Sequence, residues 1–168
     1  MAAGATGVRA RKRRIAPEFP VFAELPSRFL VRSQTMTDFF DTKCMSVQWD
    51  EVERCVQLRW KGFAQGDEYR TGMNKVLELL TARKASRWLI DAREMSVVTQ
   101  TDQGWMMRDW RPRAIAAGLK KVAVVMPSSA IAQMSIHRME NNLKDPTDQV
   151  IATAYFPSTD EARAWLRG

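Results

Sequence analysis

Two stretches near residue 50 alternate between apolar and polar positions. In residues 44–50 (CMSVQWD) every second position from Met45 is apolar, and residues 54–60 (RCVQLRW) alternate in the same way from Val56. A period of two residues is typical of a strand that buries one face. Because only residues 51–53 separate the two stretches, the pattern predicts a β-hairpin.

Helical and strand-like segments then alternate along the chain. After Gly62 and Gly66, apolar positions at helical spacing predict a helix of about 16 residues. They are Tyr69, Met73, Val76, Leu77 and Leu80. Three short apolar runs predict further strands, and they are RWLID at 87–91, KVAVVMP at 121–127 and VIATAYF at 150–156. The second run is apolar on both faces, which is typical of a central parallel strand.

Three more helices are predicted between and after these strands. The first runs from about Asp102 to Ala117, with Gly118 as its C-terminal cap. The second begins after Ser128 or Ser129, and its apolar stripe is Ala132, Ile136, Met139 and Leu143. Ser158 and Glu161 form a capping box that begins the third.

The order of elements, ββαβαβαβα, predicts an α/β fold. Strands that alternate with helices of this length need crossover connections, so we expect a mostly parallel five-stranded sheet entered by an antiparallel hairpin. With 168 residues, of which 45% are hydrophobic and 27% charged, the chain suits a single globular domain. We assign this domain to residues 36–168, because the periodic segments follow Met36.

The first 35 residues differ in composition from the rest. Seven basic and two acidic residues there supply five of the seven net positive charges of the chain. Since no apolar period appears, we expect residues 1–35 to be disordered and to contact nucleic acid only non-specifically. An export signal is not expected, because Pro17 and Glu18 interrupt the segment that would have to be apolar. The extension is either genuine or a start-site artefact upstream of Met36.

Cysteine content and hydropathy predict a cytoplasmic protein. Cys44 and Cys55 are too few for a disulfide framework, which favours a reducing compartment. No apolar run reaches the roughly 18 to 20 residues that a membrane span needs. We therefore expect a cytoplasmic protein without a membrane span.

The motifs of common enzyme classes are missing from the sequence. Neither a G-x-G-x-x-G nor a P-loop motif follows a strand. The single histidine, His137, has no second His or Cys at ligand spacing, and any catalytic triad would depend on it. We predict that the protein is not an enzyme and that it needs neither a metal nor a cofactor.

Two acids flank a stretch of hydroxyl side chains. Asp91 closes a predicted strand, Asp102 leads a predicted helix, and Ser96 and Thr99 lie between them. Paired carboxylates could hold Mg²⁺, and a phosphorylated hydroxyl could lie at the helix start. Acids and hydroxyls at such positions are more often caps. If Asp102 is a helix cap, Asp102→Asn should lower the free energy of unfolding by at most about 1 kcal/mol.

A cluster of bulky side chains follows Asp102. Trp105 and Trp110 are five residues apart, so they do not share one narrow helical stripe, and Pro112 is expected to kink or restart the helix. In one interpretation both tryptophans are buried against the sheet. In the other, at least one lies on a partner surface or in an apolar ligand pocket.

Several of these motifs together resemble the STAS domain of the SpoIIAA anti-sigma-factor antagonists, and most closely its divergent SpoIIAA-like branch. The residues that carry the resemblance are Trp105, Trp110, Pro112, Gly118, Ala123, Pro127, Phe156, Ser158, Glu161, Ala162, Trp165 and Leu166. It covers about residues 45–168. The fold that it implies is the α/β fold predicted above.

The resemblance implies a bacterial, non-enzymatic regulatory module that acts by protein–protein contact, either as a monomer or as a homodimer. In phosphorylated antagonists the loop after the third strand reads D-S-S-G, and a partner kinase phosphorylates the second serine. The corresponding stretch here is Asp102-Gln103-Gly104, so the phosphorylation switch is expected to be missing. The candidate contact residues are Asp91, Ser96, Thr99, Asp102, Trp105 and Trp110.

The related CRAL-TRIO lipid-transfer fold leaves a second hypothesis open. On that scaffold the protein would be a carrier or sensor of an apolar small molecule or lipid, and the Trp and Met cluster would line its pocket.

Overall fold

Two ranges of the chain, residues 36–141 and 150–168, are described by the computed structural model. The strands within them are β1 (Met36–Asp41), β2 (Met45–Asp50), β3 (Cys55–Trp60), β4 (Arg87–Asp91), β5 (Lys121–Val125) and β6 (Ala152–Phe156). The helices are α1 (Gly66–Arg83), α2 (Gln100–Trp105), α3 (Arg111–Ala116), α4 (Ala130–Asn141) and α5 (Thr159–Arg167). A π-helical turn at Met106–Trp110 joins α2 to α3.

The strands lie in one sheet in chain order, from β1 to β6. β2 pairs antiparallel with both β1 and β3, whereas the pairs from β3 to β6 are parallel. The predicted α/β fold, with a mostly parallel sheet entered by a hairpin, is therefore confirmed. The parallel part arises because helical segments separate its consecutive strands, so the chain must cross over before it pairs again.

Over the described residues the sheet has six strands, one more than the five predicted from the sequence. Strand β1 was not predicted because it contains a β-bulge. Its register shifts between Asp38 and Phe40, so Phe39 is an extra residue in the strand. Two adjacent phenylalanines break the alternation that marks a half-buried strand. Phe40 packs on the core, and Lys75 of α1 lies over the ring of the exposed Phe39.

The parallel crossovers place α1, α2 to α3, and α4 on one face of the sheet, which we call the front face. Because the crossovers are right-handed and the strand order never reverses, successive helices must lie on the same side. Their buried residues pack there against Trp60 and Trp88. Of the described helices, only α5 packs on the opposite, back face, where Ala162 and Leu166 form a second core with Leu89.

The predicted helix over residues 102–117 is present but divided. α2 continues into the π-turn, and α3 restarts with Pro112 in its first turn. Proline has no N–H to donate to an earlier carbonyl, and a π-turn accommodates that loss without ending the helix. Gly118 follows the helix as predicted, with φ of +99° and its amide 2.9 Å from the Ile115 carbonyl.

Other predicted features can be compared only where the chain is described. The Ser158 hydroxyl accepts a hydrogen bond from the Glu161 amide at 3.3 Å and donates one to the Glu161 carboxylate at 3.0 Å, so Ser158 is the N-cap of α5 as predicted. In α4, Ala132 and Ile136 are buried as predicted. Leu143 and the basic extension lie outside the described residues.

The two cysteines lie at opposite ends of the β2–β3 hairpin. Cys44 precedes β2 and Cys55 begins β3, where it pairs with Asp50. Both are free and buried. Burial raises the pKa of Cys55 to about 12, so its thiol stays protonated at neutral pH.

Candidate functional site

An apolar cavity of about 130 Å³ lies on the front face of the sheet. Front-face side chains of β3 to β5 supply much of its floor, and these include Leu58, Trp60, Trp88, Ile90, Val122 and Val124. Helices and the loop after β4 supply the walls, which include Tyr69, Met73, Met95, Val98, Trp110 and Ile136. Such a lining binds apolar groups by removing their surface from water.

Four aromatic side chains of this lining contact one another in two pairs. The ring centroids of Trp88 and Trp110 are 5.0 Å apart, and Trp60 stacks on Tyr69 at 5.8 Å. The Trp110 Nε1 donates a hydrogen bond to the Met73 carbonyl at 2.6 Å, which ties the π-turn to α1. The rings are therefore held in place by contacts from several elements.

Methionine side chains form much of the remaining wall. Met73, Met95, Met106, Met107 and Met139 all line the cavity. An unbranched thioether adapts its shape to its neighbours and interacts favourably with aromatic rings. The cavity therefore combines fixed rings with adjustable thioether walls.

The π-turn decides where the two candidate tryptophans lie. Residues five apart in an α-helix differ in direction by about 140°. The wider π-turn reduces this difference, and both Trp105 and Trp110 pack against the front-face core. Trp110 is 1% exposed and lines the cavity. Trp105 is only partly buried, with its ring edge-on to Tyr69 and the Arg70 guanidinium 5.5 Å from its centroid.

Four polar residues also line the cavity. Thr153 and Tyr155 of β6 and Glu140 of α4 contribute to it, together with Arg111. Burial, with a smaller contribution from the negative charge of Glu140, raises the pKa of Tyr155 to about 12. The Tyr155 hydroxyl is therefore uncharged at neutral pH.

The loop after β4, residues 92–99, forms a cavity wall on its inner side and protein surface on its outer side. We call it the wall loop. Its Met95 and Val98 side chains are buried and line the cavity, whereas Ser96 and Val97 between them are exposed. A displacement of the inner side chains would therefore also move the exposed residues.

Asp102 anchors the C-terminal end of the wall loop. Its carboxylate is 1% exposed and accepts hydrogen bonds from the Thr99 hydroxyl at 2.8 Å and from the Gly66 amide at 2.9 Å. Its second oxygen lies 3.5 Å from the Arg70 Nε. The N-cap of α2 is Thr99, whose hydroxyl accepts from the Asp102 amide. The prediction that Asp102 is the helix cap is therefore wrong: Asp102 connects the starts of α1 and α2.

Asp91 lies on the back face and does not share a site with Asp102. In β4 its side chain points to the same side as Leu89, opposite to Ile90. The two acids therefore cannot hold Mg²⁺ as a pair. Among the described residues, no three His, Cys, Asp or Glu side chains are grouped as a metal site requires.

Asp91 instead pairs with a neighbouring arginine. The Arg93 guanidinium donates to its carboxylate from Nε at 2.9 Å and from Nη2 at 2.7 Å. Burial alone would raise the pKa of Asp91, but the hydrogen bonds and charge of Arg93, with the charge of Arg59, hold it below its ordinary value. The ion pair fixes the N-terminal end of the wall loop to β4.

We expect Arg93→Ala to lower the melting temperature more at about pH 7 than at about pH 3. The folded pKa of Asp91 lies below that of an unfolded Asp, about 3.9, so its ionised form stabilises the fold above that pH. This contribution is lost as the pH falls through the folded pKa. Thermal unfolding at both pH values tests this, with Arg138→Ala, an exposed arginine of α4, as control. An equal loss at both pH values would contradict it.

Comparison with protein-family models matches residues 55–167 to the SpoIIAA-like family. The chain belongs to the SpoIIAA-like family. The match runs from β3 to α5 and so includes the elements that line the cavity, and it confirms the resemblance found in the motifs. A search of the curated proteins finds no match to this chain. None of the described helices is both long and apolar enough to cross a membrane.

In this SpoIIAA-like chain, Gln103 and Gly104 replace the phosphorylated serine of the D-S-S-G loop. Gln103 is 3% exposed, and its Nε2 donates to the Val98 carbonyl at 2.7 Å. It fastens the wall loop to α2 and offers no hydroxyl to solvent. Of the nearby hydroxyls, Thr99 is occupied as the helix cap, whereas Ser96 and Thr101 are exposed.

Trp110, Met106 and Met107 belong to the cluster predicted from the sequence, but most of the cavity lining was not predicted. Trp88 and Tyr155 come from strands far apart along the chain, and only the pairing of the sheet brings them to one face. One signal could have been used: the chain has 10 methionines, and half of them line the cavity. Of the other candidate residues, Asp102 and Trp105 both contact Arg70, and Asp91 lies on the opposite face.

Proposed function

We propose that this SpoIIAA-like protein is a non-enzymatic regulatory module that binds an apolar small molecule. The observation that carries the proposal is the apolar cavity of about 130 Å³ on the front face. STAS-type domains are generally binding modules, which supports the non-enzymatic role. Apolar walls favour binding by about 25 cal/mol for each Å² of ligand surface removed from water.

The wall loop supports a second part of the proposal, which is contact with a protein partner. STAS-type domains typically bind protein partners. Met95 and Val98 line the cavity while Ser96 and Val97 face solvent, so a ligand and a partner would contact opposite sides of one segment. A ligand that favours one loop conformation then changes the affinity for the partner, and the partner changes the affinity for the ligand by the same factor.

Trp105 extends this contact surface. Its ring is partly buried, and Arg70 contacts both Trp105 and the loop anchor Asp102. A partly exposed indole beside a cation is a common feature of protein interfaces. We therefore propose that the partner contacts the wall loop together with Trp105.

We further propose that regulation does not require phosphorylation of the wall loop or α2. Gln103 is buried and hydrogen-bonded, which supports this view. The Thr99 hydroxyl lies 2.8 Å from the Asp102 carboxylate, so a phosphate there would face a buried negative charge. Ser96 and Thr101 are the exposed hydroxyls that an intact-mass measurement must address.

Native mass spectrometry of freshly purified protein, compared with its denatured mass, tests the proposal. We expect a bound small apolar molecule that is released on denaturation, and no stoichiometric phosphate. Val122→Phe places a ring in the cavity lining and should abolish ligand binding while the fold is kept. Val52→Phe makes the same change at an exposed position and should leave binding unchanged.

Two results would contradict this proposal. One is an empty protein that also fails to take up any member of a panel of apolar compounds. The other is ligand binding that is equal in wild type and Val122→Phe. A homodimeric state, non-specific contact of residues 1–35 with nucleic acid and a cytoplasmic location stay predictions.

A further inference from the structure

The two edges of the sheet differ in how well they are protected against pairing with a further strand. Strand β1 forms one edge and β6 the other. An edge strand presents a row of backbone N–H and C=O groups, and proteins usually blunt it with charges, prolines or bulges. Strand β1 has two of these devices, because Asp38 and Asp41 are charged and a β-bulge at Phe39 interrupts its register.

Strand β6 has none of these devices. Its sequence, ATAYF at 152–156, contains no charged residue and no proline. It pairs with β5 over its full length without a register shift. Ala152 and Thr153 are exposed, and the rest of the strand is partly exposed. Within residues 36–141 and 150–168, no strand pairs with its outer edge, so this edge is accessible to a further strand.

The hydrogen bonds to β5 show which backbone groups of β6 point inward. The Ala152 amide donates to the Lys120 carbonyl at 2.8 Å, and the Phe156 carbonyl accepts from the Met126 amide at 2.9 Å. Successive residues of a strand direct their N–H and C=O groups alternately to opposite sides. Every second residue from Ala152 to Phe156 therefore directs these groups to β5.

Thr153 and Tyr155 consequently direct their backbone groups to the outer edge. They lie symmetrically about Ala154, so two antiparallel copies of β6 match each other. Thr153 of each copy would exchange both of its backbone hydrogen bonds with Tyr155 of the other. The two Ala154 residues would form the closely spaced pair, with Cα atoms about 4.5 Å apart, where a small side chain fits. This self-complementary register favours a second copy over an unrelated strand.

We propose that two copies of this chain associate through their β6 edges, in antiparallel register about Ala154, and form one continuous sheet. The contact is isologous, because the same surface of both copies meets across a twofold axis. It is an addition of a strand to a sheet edge, in which backbone hydrogen bonds supply the affinity. The inference goes beyond the proposed function, since the β6 edge is separate from the wall loop that follows β4.

The association brings the cavity linings of the two copies together. The side chains of Thr153 and Tyr155 lie on the front face, where they pair with Val122 and Val124 and line the cavity. Across the twofold axis, Tyr155 of the second copy lies beside Thr153 of the first. Each copy therefore adds a side chain next to the cavity lining of the other.

The short contact predicts a weak and reversible dimer. Strand β6 has 5 residues, whereas a stable interface buries about 800 Å² on each partner. The fraction of dimer should therefore rise with protein concentration. In analytical ultracentrifugation of the full-length protein, we expect the mass to rise from 19.2 kDa towards twice that value.

Thr153→Pro tests the edge without removing a hydrogen bond between β6 and β5. Proline eliminates the outward N–H of residue 153 and places its ring at the outer edge, a position where strands tolerate it. The dissociation constant of the dimer should rise roughly tenfold or more. Thr153→Val is the matched control, because it keeps the N–H and suits a strand, so it should leave the dissociation constant unchanged.

Two further measurements cover the case in which Thr153→Pro does not fold. In the wild-type protein, hydrogen exchange at the Thr153 and Tyr155 amides should slow as the concentration rises, because the dimer protects them. With oxidised glutathione as the oxidant, Ala154→Cys should form a disulfide-linked dimer, because the two side chains meet at the axis. Val150→Cys is the control, since Val150 is 57% exposed but far from the axis, and it should not cross-link.

The other outcomes each overturn the inference. A constant monomer mass up to the highest soluble concentration excludes the dimer. If the Thr153 and Tyr155 amides are then protected at every concentration, another segment of the same chain, such as residues 142–149, occupies the edge. A dimer with an unchanged dissociation constant in Thr153→Pro associates through another surface. A dimer without cross-linking in Ala154→Cys has a different register.

Discussion

Val124→Asp is expected to destabilise the protein by more than about 3 kcal/mol. Val124 is 7% exposed, lies in β5 between two parallel neighbours, and lines the apolar cavity. A carboxylate there is removed from water and lies among mostly apolar side chains on the front face, with Tyr155 as its neighbour on β6. Urea denaturation followed by circular dichroism measures the loss, and insoluble expression would be its extreme form.

Acid pH should partly relieve the effect of Val124→Asp. Burial raises the pKa of an introduced carboxyl above its unfolded value, so the penalty applies above about pH 4 and shrinks once the group is protonated. Val52→Asp is the matched control, because Val52 is 65% exposed in the hairpin turn. A soluble Val124→Asp protein with wild-type stability would show that β5 is placed wrongly in the sheet.

Asp102→Ala is expected to lower the free energy of unfolding by about 2 to 4 kcal/mol. The substitution removes the acceptor of the Gly66 amide and the Thr99 hydroxyl, and it leaves Arg70 without its buried partner. The starts of α1 and α2 then lose their connection. Asp102→Asn keeps an acceptor oxygen but removes the charge. Its free energy of unfolding should therefore lie between those of the wild type and Asp102→Ala.

The control for Asp102 is Asp109, which lies in the π-turn after α2. Asp109 is exposed and pairs with Arg113 one helical turn away, so Asp109→Ala should change the stability by less than about 0.5 kcal/mol. Hydrogen exchange should show faster opening of the wall loop in Asp102→Ala than in Asp109→Ala. Equal exchange in the two variants would contradict the anchoring role.

The local pattern of the sequence was sufficient to predict most of the secondary structure. The hairpin of β2 and β3, the stripe of α1 and the N-cap of α5 depend on neighbours within about one or two turns, so their signals lie within short windows. Strand β1 was missed because the bulge at Phe39 removes the period of two. The motif resemblance to the SpoIIAA-like family was likewise a property of the sequence.

The candidate site depended on tertiary structure to a much greater degree. Whether Trp105 and Trp110 could share a face was decided by the π-turn, which the sequence indicated only through Pro112. The role of Asp102 could not be seen locally, because its partner amide belongs to Gly66, 36 residues earlier. The separation of Asp91 from Asp102 follows from strand alternation and the side on which α2 crosses over.

By itself, the sequence determined the type and order of most elements, the parallel sheet and the family. These properties follow from local periodicity and from motifs that are read along the chain. Tertiary structure alone decided the cavity, because such a space exists only where side chains from several strands and helices fail to fill the volume between them. It also left Trp88 without an acceptor among the described residues, since hydrogen-bond partners are set by packing between elements and not by the order of residues.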